Sequence, residues 1–444
     1  MRFAISTIGL VLFLTGCGGG GGGDTAVATS TPDPIVWVAA PVSTSSATVV
    51  ATPATTLTAT ATPATIPVKS PTCVVKSVLT DKYHSAIMDM RFEHIGDYTA
   101  DGKLVNSYDA VARVIDKIDC VGFDTIVFQT NLPIDIKTGH LELYDSSTVA
   151  WNRDKNVPKD FWRLVKYSKD RGLRVFVKAI PVNHITDVNI CPGCDGPAFM
   201  LPSTFSTTNF FNALATYQRV LAVEAEKYKV DGFYIGAMNL GLDTTPYLTN
   251  WDNVIAQIKT VYTGKLIYEA CDRCTTQVWD RVDLVAVGVH AKIAKSSATT
   301  VASIINDTAI FNLIVDIQRI ATLYRKPILL DGVSIGATGK DDDLGSIISG
   351  QTPYTSLQPN YTLQAVKIAT VFELVSSKLT KQVVGVQWSE YMPWSQATWI
   401  QNPTNANSWA WHHAQFYGID LLNNEPAQKK LSEHFSRPWG HTVN

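Results

Sequence analysis

Charge is what this chain has little of. Asp, Glu, Lys and Arg make up 17% of its 444 residues, against about 25% in an ordinary soluble domain. The two signs nearly cancel, with 37 basic and 39 acidic side chains. That balance excludes a general polyanion binder, which needs clustered Lys and Arg against phosphates. Long apolar runs are missing too: no stretch reaches the ~18 uninterrupted apolar residues of a membrane-spanning helix. A glycine-rich phosphate loop is also lacking. Asp89-Met90-Arg91-Phe92-Glu93 follows the first strand-like run, where a doubly wound nucleotide-binding sheet would place its glycines.

What is present begins with an address. Met1-Arg2 opens a short positive region, and Phe3 to Leu14 is an apolar stretch of secretory-signal length. It ends in Leu14-Thr15-Gly16-Cys17, which resembles the lipobox of bacterial lipoproteins. The resemblance implies cleavage of residues 1–16, a lipid on Cys17 and, with Gly18 rather than Asp next, delivery to the outer membrane of the cell envelope. Residues 17–72 then form a low-complexity tract: six glycines, followed by Thr, Ala, Ser, Pro and Val, with only Asp24, Asp33 and Lys69 charged. Glycine gives flexibility and proline extension, so the tract reads as a tether. It accounts for part of the shortage of charge. The folded part is expected over 73–444.

There, short β-branched runs alternate with helical periods. The runs are Ala86-Ile87-Met88, Thr125–Phe128, Arg174–Val177, Gly232–Ile235, Lys265–Tyr268, Leu284–Val287, Pro327–Leu330 and Val383–Val386. Such runs suit strands buried on both faces of a parallel sheet. Helical periods lie between them, for example over 208–229, 301–325 and 411–434. Eight strand–helix units predict a (β/α)8 barrel.

Chemistry on a barrel sits at the C-terminal ends of its strands. Those ends carry Asp89, Asp135, Asn239 and His290, expected to contact a ligand, together with Trp388 and Trp394 after the last run. Carboxylates, amides and aromatic faces together suit carbohydrate, so a polysaccharide or oligosaccharide is the expected partner, and no cofactor is called for. Among the carboxylates, Glu269, Asp331 and Glu390 are the candidates for catalysis.

Over most of 85–435 the chain resembles glycoside hydrolase family 113, a group of (β/α)8 mannanases of the retaining type. The resemblance is carried by Gly122-Phe123-Asp124-Thr125-Ile126-Val127, by Arg171-Gly172-Leu173-Arg174 through Lys178, and by Phe233-Tyr234-Ile235-Gly236. Tyr262–Tyr268, Val282-Asp283-Leu284-Val285, Lys326–Leu330 and Glu425-Pro426-Ala427 continue it in order. Retaining enzymes use two carboxyl groups about 5 Å apart. In this register Met238 holds the place of the family's acid/base glutamate and Gly332 that of its nucleophile. Neither side chain can do that work. Two readings stand: a barrel that binds or organises a glycan without cutting it, or catalysis moved to Glu269, Asp331 or Glu390. A one-residue slip from the nucleophile position is expected to aim Asp331 out of the barrel unless a bulge re-aims it.

Seven cysteines leave six once Cys17 is set aside: Cys73, Cys120 and the pairs Cys191/Cys194 and Cys271/Cys274. In an exported protein an even remainder favours disulfides, with Cys73 expected to pair with Cys120. The two Cys-x-x-Cys motifs also fit a four-thiolate zinc site or a redox pair.

Overall fold

The computed structural model describes residues 81–89, 108–135, 138, 139, 141, 160–183, 188–189, 201, 203–237, 241–270, 276–289, 300–306, 308–334, 360–391, 425–437 and 439. The element order is β1 (Tyr83–Asp89), α1 (Tyr108–Val121), β2 (Thr125–Ile134), α2 (Phe161–Asp170), β3 (Arg174–Asn183), β4 (Val188–Asn189), α3 (Thr207–Lys227), β5 (Gly232–Ala237) and α4 (Leu248–Lys259). It continues through β6 (Lys265–Ala270), β7 (Leu284–Gly288), α5 (Val301–Ile305), α6 (Thr308–Tyr324), β8 (Ile328–Ser334), α7 (Tyr361–Ser377), β9 (Val383–Tyr391) and α8 (Glu425–Phe435). The strands lie in the order β2-β1-β9-β8-β7-β6-β5-β3, and β2 pairs with β3 to close the ring. All eight of these pairings are parallel. The expected (β/α)8 barrel is therefore the fold. The two-residue β4, antiparallel on β3, was not expected.

Alternation along each strand sends one set of side chains inward and the other under the helices. Tyr83, Ile87, Val127, Phe176, Tyr234, Ile267, Leu284, Ala286 and Leu329 form the inner cluster. The outward set, among them Phe128, Phe233, Tyr268, Leu330 and Trp388, packs against the helices. Stepping by two along β1, β3, β6 and β8 stacks the interior in layers of four from alternate strands. At the bottom the Tyr83 hydroxyl accepts from Lys265 Nζ at 2.7 Å and the Arg174 guanidinium stands over its ring; the next layer is Ser85, Phe176, Ile267 and Leu329. The third is Ile87, Lys178, Glu269 and Asp331. Gly232 is inward on β5, where a Cβ would stand 2.7 Å from Phe176 Cδ1 and 2.8 Å from Ile267 Cδ1. Its missing side chain is what lets the second layer fill.

One device sets the register at the N-terminal end three times. Asp124, Asp231 and Asp283 each precede a strand. Each donates its backbone N–H to a carbonyl on the strand before (His84, Val175 and Leu266). Each carboxylate in turn accepts the N–H of that same residue, at 3.1, 2.7 and 2.9 Å. The three clamps fasten β1 to β2, β3 to β5 and β6 to β7. Arg174 pairs with Asp124 at 2.7 Å and stands 4.3 Å from the centre of the Tyr83 ring.

The expected helix over 301–325 is two, α5 and α6, separated after Asn306, the C-cap of α5, while Thr300 caps the start of α5 by accepting from Ser303 N. Over 411–434 only α8 falls within the described residues. Cys120, on α1, is disulfide-bonded. Cys73, Cys191, Cys194, Cys271, Cys274 and Cys17 lie outside the described residues. No described helix is long and apolar enough to cross a membrane.

Candidate functional site at the C-terminal mouth of the barrel

The third interior layer is where the core stops being apolar. Lys178 follows Val175-Phe176-Val177 on β3 and shares the inward direction of Phe176. Its ammonium contacts Glu269 Oε2 at 2.6 Å and Asp331 Oδ1 and Oδ2 at 3.1 and 3.2 Å. The exposures of Lys178, Glu269 and Asp331 are 2%, 0% and 0%, so all three charges are out of water. Tyr234, inward on β5, donates its hydroxyl to Asp331 Oδ2 at 2.7 Å. With its amide turned so that the nitrogen faces the carboxylate, Gln387 of β9 donates to Asp331 Oδ1 and Oδ2 at 3.1 and 3.0 Å and to the Tyr234 oxygen at 2.7 Å. That orientation is the one the hydrogen-bond partners require.

The electrostatics follow from this packing. Burial alone would lower the Lys178 pKa, but Asp331 and Glu269 outweigh it and the ammonium is held above its ordinary value. Burial, and then the Asp331 charge, push the Tyr234 phenol well above 10.0. Lys178 is therefore a locked cation and Tyr234 a locked donor. Neither is a nucleophile or base at neutral pH.

Asp331 points into the barrel, contrary to the direction expected of a one-residue slip. Alternation from the inward Leu329 already places it there. The register with β9 then shifts between Leu330 and Val333, and Gly332 takes up the extra residue at φ 60°. A positive φ is costless for glycine and strained for other residues. The position expected to match the family nucleophile is thus a backbone bulge.

Of the three candidate catalytic carboxylates, the structure brings Glu269 and Asp331 together. Sharing one ammonium keeps their nearer oxygens within about 6 Å, the order of the ~5 Å separation of a retaining pair. The same ammonium lies between them. Glu390 lies on β9 and Asp89 ends β1, but their side chains, like Met238, Asn239, His290 and Trp394, are outside the described residues. Asp135 closes the turn after β2: its Oδ2 accepts from Thr138 Oγ1 at 2.6 Å and its carbonyl from Gly139 N at 2.8 Å.

Trp388 corrects the expectation of a sugar-stacking ring. It alternates with the inward Gln387 and so faces outward, fully buried, its ring 5.4 Å from that of Phe372 on α7. Strand parity, not proximity to the strand end, decided its direction.

Two braces hold the loops beside the mouth. Thr276 donates to Asp243 Oδ2 at 2.8 Å and Gln277 N to the Asp243 carbonyl at 2.8 Å, joining the segments after β5 and β6. Ser206, the N-cap of α3, donates its backbone N–H to the Thr138 carbonyl at 3.2 Å. Among the described residues no group of three or more His, Cys, Asp or Glu side chains could hold a metal ion.

Sequence reasoning missed Lys178, Tyr234 and Gln387 as members of the site. The available signal was a lysine inside an otherwise apolar strand run, two residues beyond Phe176.

The chain is a closed parallel (β/α)8 barrel with polar and charged groups gathered at its C-terminal mouth. The model of glycoside hydrolase family 113 matches residues 129–339, just under half of the chain, and spans Lys178, Tyr234, Glu269 and Asp331. The resemblance read from the sequence is met by that match. A solved GH113 β-1,4-mannanase in complex is similar at 16% identity and TM-score 0.54, covering 80% of this chain and 100% of its own. The GH113 β-mannanase AaManA from Alicyclobacillus acidocaldarius, in complex with ManMIm, is similar at 15% identity and TM-score 0.53, covering 80% and 97%. At that identity the two structures establish the fold. No curated protein sequence matches the chain.

Proposed function

We propose that this chain is a lipid-anchored protein of the cell envelope that engages a polysaccharide at the C-terminal face of its barrel, without the two-glutamate retaining mechanism. The observation that carries the reading is the cross-linked pair Glu269–Lys178–Asp331. A retaining enzyme must leave one carboxylate free to attack and let the other carry a proton. Here both grip one buried ammonium, and Gly332, expected at the nucleophile position, is a bulge. The proteins it resembles are named as mannanases, which makes β-1,4-linked mannan the first glycan to try. Incubation of purified protein with mannan, read by reducing-sugar release and by affinity electrophoresis, tests this. Retarded migration with no sugar release is expected. Steady release that is lost in Glu269→Gln or Asp331→Asn would overturn the non-cutting reading.

A further inference from the structure

The N-terminal ends of the parallel strands form the face opposite the mouth, and the charges there are unevenly paired. On one side of the ring Arg171, Arg174 and Lys229 are each tied to a carboxylate, those of Asp116, Asp124 and Glu226. On the other side lie the connections into β8, β9 and β1, which are neighbours in the ring. They carry Arg325, Lys326, Lys378, Lys381 and Lys82 against one acid, Asp81. The first two connections are joined by Ile328 N donating to the Gln382 carbonyl at 3.1 Å. Arg437 follows just beyond α8, whose Phe435 ring lies 4.4 Å from that of His84 near the start of β1. Arg325, Lys378, Lys381 and Arg437 are exposed, and none of them makes an ion pair among the described residues. Lys326 donates to a neutral partner, the Val282 carbonyl, at 2.9 Å. The charges of the whole chain nearly cancel; those of this arc do not.

The chain that precedes β1 joins the barrel at this same face, through Asp81 and Lys82. We propose that the arc of Arg325, Lys378, Lys381 and Arg437 is a docking surface for an anionic phospholipid bilayer, so that the barrel rests on the membrane by its N-terminal face and turns its mouth away. This rests on the lipid anchor at Cys17 proposed above. A tether like that of residues 17–72 does not orient the domain it carries, but it keeps the domain close enough for a weak contact to be occupied. Each Lys or Arg near an anionic leaflet is worth about a fivefold gain in binding. A patch of this size holds only reversibly by itself, and a lipid supplies the second attachment. A polysaccharide needs open space over the mouth, which a barrel lying mouth-down would not leave.

The test reconstitutes the full-length lipidated protein on vesicles of phosphatidylcholine, or of phosphatidylcholine mixed equally with phosphatidylglycerol. An amine-reactive ester then labels it, and mass spectrometry reads each lysine. Lys166 on α2 and Lys429 on α8, both exposed and within helices, serve as references. Lys378 and Lys381 are expected to react at least about fivefold more slowly on the anionic vesicles, with the references unchanged and the difference abolished by high salt. Arg325→Gln/Arg437→Gln leaves both reporters in place and is expected to restore most of their reactivity. A protein that pellets with both vesicles but shows equal reactivity on them overturns the docking surface alone, and so does slowing of all four lysines alike. Equal slowing on neutral vesicles by soluble polygalacturonate would assign the arc to an acidic polymer and overturn the membrane assignment. A protein that pellets with neither vesicle overturns the anchor and, with it, the reading on which this surface rests.

Discussion

Lys178 is the side chain on which the interior turns. Its ammonium is the counter-charge of two buried carboxylates, so Lys178→Met leaves like charges facing each other in a medium that does not screen them. Breaking one side of such a cluster is expected to lower the unfolding free energy by about 3–5 kcal/mol, measured by urea denaturation. A loss below about 1 kcal/mol would mean the cluster is not what holds the layer together. The alkaline limb tests the same contact. The folded pKa is raised, so the ammonium's contribution is complete below the ordinary lysine value of 10.5 and fades as pH climbs through the higher folded value. Wild type is thus expected to lose stability above that value more steeply than Lys178→Met, whose alkaline limb should flatten. At this scale the sequence identified Glu269 and Asp331 but not the lysine between them. A lysine in an apolar run reads as an interruption until strand parity places it inside.

Elements are held in register by small polar devices at their ends. Asp231 accepts from Val175 N and from Lys169 Nζ, each at 2.7 Å, tying the start of β5 to β3 and α2. Asp231→Ala is expected to cost about 1–3 kcal/mol, because a buried amide loses its acceptor. Glu226, near the end of α3, is bonded to Lys229 and accepts from Thr263 N at 3.0 Å. These contacts hold its pKa down at about 2 against an ordinary 4.5. A depressed carboxyl adds stability above the unfolded value that is lost as pH falls through the folded one. The acid limb of the stability curve between pH 4.5 and about 2 is therefore expected to be shallower in Glu226→Gln, measured by denaturant midpoints at each pH. Gly232→Ala tests the layer packing: a Cβ 2.7 Å from Phe176 is expected to cost about 1–3 kcal/mol by overpacking. The strand positions were legible because a parallel barrel buries both faces and leaves an unbroken apolar run. The break between α5 and α6 was not, since buried apolar residues lie on both sides of it, Ile304 before and Ile310 and Leu313 after.

For the whole molecule, the proposal joins an anchored barrel to a glycan. Cys17→Ser is expected to move the protein from the membrane fraction to the soluble one without changing its glycan affinity, read by fractionation and affinity electrophoresis. The six cysteines beyond Cys17 are expected to yield no free thiol under denaturing, non-reducing conditions. Six free thiols with stoichiometric zinc would place a metal at the paired motifs instead.

The sequence by itself determined the barrel and the run of its strands, because burial on both faces writes itself into composition and length. It also determined which residue types crowd the mouth. Only the tertiary structure decided which way they face: it turned Trp388 outward against Phe372, swung Asp331 inward ahead of a glycine bulge, and closed Lys178 between two carboxylates from β6 and β8. The physical reason is that a strand's side chains alternate. The meaning of a residue at its end depends on a parity that neighbouring strands across the barrel fix and that the local sequence does not contain.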